Sequence, residues 1–215
     1  MQTNLILCIE SSSSICGVAV VEKGIILSLV EEQIHRKHAE ILPGFIQQAL
    51  EKSGKTISQL NAISISIGPG SFTGLRIGLG MAKGLAFSQD LPIIPVPTLA
   101  SMAFGLGKSK PIKGLSYSHG KRVFYQEFTW DDNLPVFTDK PKVGDIDDFI
   151  EKIDSSTFQW NCDSVLPKST RWIETKPSAK NVGLLSYYRQ NEWLIEKPYD
   201  LVPEYIAPFA IHTKE

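Results

Sequence analysis

Residues 68–84, Gly-Pro-Gly-Ser-Phe-Thr-Gly-Leu-Arg-Ile-Gly-Leu-Gly-Met-Ala-Lys-Gly, constrain the fold more than any other stretch. They follow directly on Ile63-Ser64-Ile65-Ser66-Ile67, whose β-branched residues and alternation read as a strand. Gly68, Pro69 and Gly70 break that strand, because glycine allows positive φ and proline fixes φ while removing a donor. Ser71 or Thr73 then caps a helix that runs to about Phe87. Such a strand–turn–helix unit aims unpaired backbone N–H groups at one point, which suits an anion such as phosphate. It equally suits a tight turn that brings a helix close to its sheet. The loop matches neither a P-loop nor G-x-G-x-x-G, so both readings stand at this level.

The helix is as unusual as the loop. Gly74, Gly78, Gly80 and Gly84 each cost roughly 1 kcal/mol relative to alanine. Leu75, Leu79, Ala82 and Ala86 form one apolar stripe, and Gly74, Ile77, Gly78, Met81 and Leu85 form a second beside it. A surface helix has one apolar face. This one reads as covered on two sides, by its own sheet and by something else.

The remainder of the first half supplies the sheet. Leu5 to Glu10 reads as a central strand, Ile15 to Val21 as a second, Glu22-Lys23-Gly24 as a hairpin turn and Ile25 to Val30 as a third strand. From His38 to Ser53 the apolar residues Ile41, Leu42, Phe45, Ile46, Ala49 and Leu50 make a broad helical stripe, with Pro43 starting or kinking the helix and Gly54 as C-cap. Ile93 to Val96 is a short strand, and Thr98 caps a helix to about Phe104. The order β-β-β-α-β-α-β-α implies a mixed sheet with helices on its faces.

Gly105 to Pro111 has linker chemistry, and the pattern then recurs more weakly. Strands are expected over Ile112–Ser118 and Arg122–Thr129, a turn at 130–133 followed by a short strand near Val136-Phe137, a helix capped by Asp145, a strand near Ser164-Val165-Leu166, and a helix over about Ser178–Tyr188. The four tryptophans all lie in this half and read as core or interface residues. The tail from Pro198 is proline-punctuated and is placed over the first half. Two α/β halves result, 1–105 and a reduced 106–215.

Composition narrows the function. In 215 residues with 42% apolar side chains, a net charge of −1 leaves no basic footprint for autonomous nucleic-acid binding. Cys8, Cys16 and Cys162 lack C-x-x-C spacing and read as buried free thiols of a reducing compartment. Neither a signal peptide nor an apolar run long enough for a membrane span is legible, so a soluble cytoplasmic protein is expected.

Leu7-Cys8-Ile9-Glu10-Ser11-Ser12, Arg36-Lys37-His38-Ala39-Glu40-Ile41-Leu42-Pro43 and the segment Gly68 to Gly78, in this order and spacing, resemble the TsaB (YeaZ) family over about the first 105 residues; Pro97-Thr98-Leu99 also fits. The resemblance implies an actin-like ATPase (ASKHA) fold of two duplicated βββαβαβα halves. It also implies a non-catalytic subunit for the threonylcarbamoyladenosine modification of tRNAs reading A-starting codons. Such a subunit pairs with a TsaD-type catalytic subunit, or with itself, meets a TsaE-type ATPase through the complex, and touches tRNA only indirectly. The implied partner surface lies on the two N-terminal helices, here His38, Ile41, Leu42, Phe45, Gly74, Ile77, Gly78, Met81 and Leu85. The sequence departs from the family at Ser116 to Arg122, where members carry an Asp-Ala-Arg-like segment, and at Tyr205-Ile206-Ala207-Pro208, where many have an arginine.

Candidate chemistry is sparse. Glu10 ends the first strand where the resemblance places an acid of actin-like ATPases, but Ser11 to Ser14 follow it rather than a glycine hairpin. It serves either as an acceptor for turn amides or as part of a vestigial nucleotide site with Ser11, Gly68, Gly70, Ser71 and Thr73. His35 and His38 are spaced i, i+3 and form either a metal pair or polar surface groups, while His119 and His212 have no obvious partner. No cofactor is required by these residues, and ATP or ADP would bind weakly. The alternative to the scaffold is an enzyme in its own right, a nucleotide- or metal-dependent transferase or a glycoprotease-like hydrolase.

Overall fold

The computed structural model describes residues 4–137, 139–169 and 171–204. The first sheet has the order β3-β2-β1-β4-β5, with β1 Leu5–Glu10, β2 Ile15–Glu22, β3 Ile25–Gln33, β4 Ala62–Gly68 and β5 Ile93–Pro97. β1 is buried along its whole length, as a continuous apolar strand between two neighbours should be. It pairs antiparallel with β2 and parallel with β4. Lys23 and Gly24 both take positive φ, the conformation that a tight β2–β3 hairpin demands.

Three helices belong to this half. α1 spans His38–Ser53 with Pro43 inside it and a left-handed Gly54 at its end; α2 spans Phe72–Gln89; α3 spans Thr98–Gly105. Ser71, not Thr73, caps α2, its Oγ accepting from Gly74 N at 3.2 Å. Thr98 is the first residue of α3 rather than its cap, and its buried Oγ1 has no partner among the described residues. Leu7, Ile9, Val18 and Val20 join Leu42, Phe45, Ile46, Leu79 and Ala82 in one core between the sheet and α1 and α2.

The second sheet has the order β10-β7-β6-β11-β12, with β6 Lys113–His119, β7 Arg122–Glu127, β10 Lys142–Asp145, β11 Phe158–Trp160 and β12 Ile173–Glu174. Antiparallel and parallel neighbours occur in the same sequence as in the first sheet. The duplication is therefore visible in both strand order and sense. β8 Thr129–Asp131 and β9 Leu134–Val136 form a separate hairpin. The reduction is visible too. Asp145 opens only a one-turn 3-10 segment, Ile146–Asp148, after which Phe149 stacks on Tyr125 at 4.9 Å. The strand expected at Ser164-Val165-Leu166 is a turn, closed by Val165 and Leu166 amides on Cys162 O. The strands form instead at 158–160 and 173–174, where fully buried Phe158 lies against Gly114 of β6.

α4, Ala179–Trp193, runs beyond the expected Tyr188 and returns to the first sheet, packing on β1, β2, β5 and α3. Gly183 makes this approach possible, since a Cβ there would collide with Cys8 and Val21. Val182 and Leu185 join Ile6, Cys8, Ala19 and Val21 in a second core that also holds Phe124, Phe128 and Phe158 of the other half. Trp130, Trp160 and Trp193 pack on this core and Trp172 on a third, as expected of core residues. The chain then crosses to β5, where Ile195 and Ile93 exchange backbone hydrogen bonds of 3.0 and 2.8 Å. It lies along α2, with Lys83 Nζ donating to Tyr199 O at 2.8 Å, and reaches β4, with Glu204 N donating to Ile67 O at 2.8 Å. The tail thus does close over the first half as far as residue 204; Tyr205–Pro208 and His212 lie outside the described residues. Among the described residues no helix is long and apolar enough to cross a membrane.

Because α4 completes the first half's core, Leu185→Ala should cost about 2–5 kcal/mol in urea unfolding, the usual range for a fully buried leucine. A loss below about 1 kcal/mol would mean that α4 is only loosely applied to the sheet.

Candidate functional site

The C-terminal ends of β1 and β4 deliver two loops to one place. The Ser11–Ser12 turn and the start of α2 are locked together. Ser71 N donates to Ser12 O at 2.6 Å, and Ser11 Oγ donates to Gly74 O at 3.0 Å. A Cβ on Gly70 or Gly74 would overlap Ser12 O or Ser11 O, and one on Gly78 would overlap Ser11 Oγ. These three glycines are therefore required by contact inside the chain. Gly68 takes φ +120 and lies under Glu204 O. Two of the loop's backbone donors, Ser71 N and Gly74 N, are turned to protein acceptors, as in a turn that brings a helix onto its sheet.

Glu10 underpins the serine turn. Its Oε1 accepts from both Ser12 N and Ser12 Oγ at 2.6 Å, while buried Oε2 has no partner among the described residues. Burial pushes this carboxyl up to about 7; hydrogen bonds from Ser12 and Ser66 oppose the shift, and the Glu31 charge adds to it. The acceptor role anticipated for Glu10 is present. Burial likewise raises the three free thiols, Cys8 to about 12, Cys16 to about 11 and Cys162 to about 12, so all are protonated at neutral pH.

The helix residues sort by face. His38, Leu42, Phe45, Gly74 and Gly78 point inward and are buried within the chain, which corrects their expected place on a partner surface. Leu42 and Phe45 fill the first core, and His38 Nε2 lies 3.4 Å from Ile15 O. Ile41, Ile77, Met81 and Leu85 are half-buried at the margin of the same core. α1 packs beside α2, so part of what covers the second stripe is the chain itself. Gly44, Gly80 and Gly84 face outward, and a Cβ at any of them would meet no atom of the described residues within 4 Å.

Between the two sheets lies a cleft of about 890 Å³. Thr73, Ser71, His35 and His38 line it from the first half; His119 and Arg122 line it from the second. His35 and His38 thus share a wall, but among the described residues no three His, Cys, Asp or Glu side chains converge to hold a metal ion. Sequence spacing could not have joined these walls, because the residues come from unconnected loops of both halves.

Comparison with known proteins places this geometry. The TsaB protein of Escherichia coli, a tRNA threonylcarbamoyladenosine biosynthesis protein, is 35% identical over 210 residues, covering 95% of this chain and 87% of that one. The chain belongs to the TsaB family. The Haemophilus influenzae TsaB is 39% identical over 103 residues, 48% of this chain and 43% of that protein. The family described as TsaD, tRNA N6-adenosine threonylcarbamoyltransferase, matches residues 26–125. Solved YeaZ from Pseudomonas aeruginosa has the same fold, with a TM-score of 0.76 at 22% identity, covering 94% of this chain and 99% of that one. Family membership places the chain in the biosynthesis of threonylcarbamoyladenosine in tRNA, and the TsaB fold here carries the close serine–glycine contact at its centre.

Two outcomes follow. Gly78→Ala should lower the urea midpoint, although alanine favours helices, because its methyl displaces Ser11; an unchanged or higher midpoint would remove the steric role. For Glu10, a folded value raised to about 7 means that the native state holds its proton more tightly than the unfolded chain. Stability should therefore fall as pH rises from the ordinary carboxylate range through about 7. Glu10→Gln should flatten that fall and exceed the parent protein at about pH 8. A parent that gains stability over this range relative to the variant would show that the carboxylate is held ionised.

Proposed function

We infer that the chain is a non-catalytic subunit of the tRNA threonylcarbamoyladenosine machinery, docking a TsaD-type catalytic subunit through the outward faces of α1 and α2. The observation that carries this reading is the set of three outward glycines, Gly44, Gly80 and Gly84. Each weakens its helix by roughly 1 kcal/mol relative to alanine, and among the described residues nothing approaches where a side chain would stand. Glycine at such positions lets another backbone come close. Half-exposed Ile41, Ile77, Met81 and Leu85 supply apolar surface near them, while Gly74 and Gly78 serve the interior. The same surface serves for self-association before the mixed complex forms, and a TsaE-type ATPase joins through that complex.

The scaffold reading is also favoured by the way the serine turn occupies the loop. Ser12 O and Gly74 O already take the hydrogen bonds of Ser71 N and Ser11 Oγ, and the serine turn fills the space above Gly70 and Gly74. A nucleotide-dependent transferase would need that space for phosphate.

Light scattering after size exclusion, with the catalytic subunit of the same cell, tests the surface. Gly80→Leu and Gly84→Leu should each weaken the mixed complex at least about tenfold, a loss of roughly 1.4 kcal/mol, without lowering the thermal midpoint of the isolated chain. Undiminished complex formation by both variants would move the interface elsewhere.

A further inference from the structure

The chain after α4 runs over the first half as a strap, and its seating divides its side chains into two sets. Pro198 and Pro203 are buried and Leu201 packs at the margin of the first core. Tyr199 and Val202, set between them, stay 62% and 65% exposed. The strap's backbone is fixed at three points. Leu201 N donates to Pro198 O at 3.2 Å, Lys83 Nζ of α2 donates to Tyr199 O at 2.8 Å, and Glu204 N donates to Ile67 O at 2.8 Å. The strap therefore lies beside α2 on the flank of Lys83, anchored by one set of residues and displaying the other.

α2 displays apolar surface on the same flank. Phe87 is 76% exposed, and by helical period it falls within about 60° of Gly80, Lys83 and Gly84 around the axis. Phe87, Tyr199 and Val202 are three of the four most exposed large hydrophobic side chains among the described residues. Such side chains scattered singly need no explanation, but three on one helix and the strap bonded to it form a patch. The outward glycines Gly80 and Gly84 leave a shallow channel along α2 beside this patch, and half-buried Ile77 and Met81 border the channel on the flank away from Lys83. The charged residues of α2 are Arg76 and Lys83, with no carboxylate between Phe72 and Gln89.

We propose that the strap is one wall of the docking groove, so that a helix of the partner lies over Gly80 and Gly84 with its apolar side chains against Phe87, Tyr199 and Val202. The proposal rests on the reading that a TsaD-type catalytic subunit docks on the outward face of α2, and it adds to that face a segment from the far end of the chain. The occupant is argued by fit. Two glycines one turn apart accept a helix backbone at close range, and aromatic groups beside them serve as interface anchors. A helix with two cations and no carboxylate favours a partner helix that carries acids over one that carries bases. The catalytic subunit's family model matches residues 26–125, the span that holds α1 and α2, so a counterpart of this helix pair is available on the partner. Lys83 acts through the strap, since its bond to Tyr199 O sets how far the wall stands from the helix.

Calorimetric titration of the whole chain with the TsaD-type subunit of the same cell tests the wall. Phe87→Ser and Tyr199→Ser should each weaken the complex at least about tenfold, and Val202→Ser about threefold. The thermal midpoint of the isolated chain should stay in place, because these side chains are exposed. Lys83→Met, which keeps the stem and removes the donor, should weaken the complex about threefold alone and add nothing to Tyr199→Ser, as for two changes that act through one contact. Full affinity in both Phe87→Ser and Tyr199→Ser overturns the proposal. Gly80→Leu and Gly84→Leu separate it from the reading beneath it. Weak binding by the leucine variants with full binding by the serine variants keeps the docking face and removes the strap from it. Full binding by all of them, or no complex with the parent chain, removes both. A lowered midpoint in the isolated serine variants would show that the chain itself covers these side chains, and would overturn the proposal too. Loss of self-association alone, with the mixed complex undiminished, would do the same.

Discussion

The close packing of the Ser11–Ser12 turn against the first turns of α2 governs the first half. It requires glycine at 70, 74 and 78, and it holds the helix by Ser71 N on Ser12 O and Ser11 Oγ on Gly74 O. A side chain at 70 or 74 would press on the backbone of the serine turn and push α2 away from the sheet that Leu75, Leu79 and Ala82 pack on, while one at 78 would displace the Ser11 side chain. The outward face of the helix is defined by the same contact, because fixing one side of a helix fixes the other. Glu10 anchors the turn from below, so a buried acid at the end of β1 sets the position of a surface nearly a helix diameter away.

The first half was legible because its signals agree at every level. The continuous apolar β1, the Lys23-Gly24 hairpin, the Gly54 cap and the helix period of α1 and α2 all point to one arrangement. The second half was less so. Its β11 is three residues long, Phe158–Trp160, and is made a strand by pairing with β6 rather than by its own pattern. Asp145 carries a capping signal, but the turn it starts stops after Asp148, where Phe149 turns in to stack on Tyr125.

The functional reading divides in the same way. That α2 has two covered sides could be read from its stripes, and α1 supplies part of the second. Which glycines serve which side could not, because period alone does not say where a neighbouring loop will lie. Gly78 faces Ser11, which is distant in sequence, and Gly80 faces nothing among the described residues. The cleft was hidden for a related reason. His35 and Arg122 belong to different halves, and only the packing of the two brings them to one cavity.

The return of α4 to the first sheet has a consequence for how the chain is made. The face of β1 and β2 that bears Ile6, Cys8, Ala19 and Val21 is sealed in part by Val182 and Leu185. On the ribosome, where the chain emerges from its N-terminus, this apolar face waits bare until α4 has been synthesised. During that interval the nascent first half presents an apolar face of the kind that chaperones bind, and its second core is complete only when α4 has arrived.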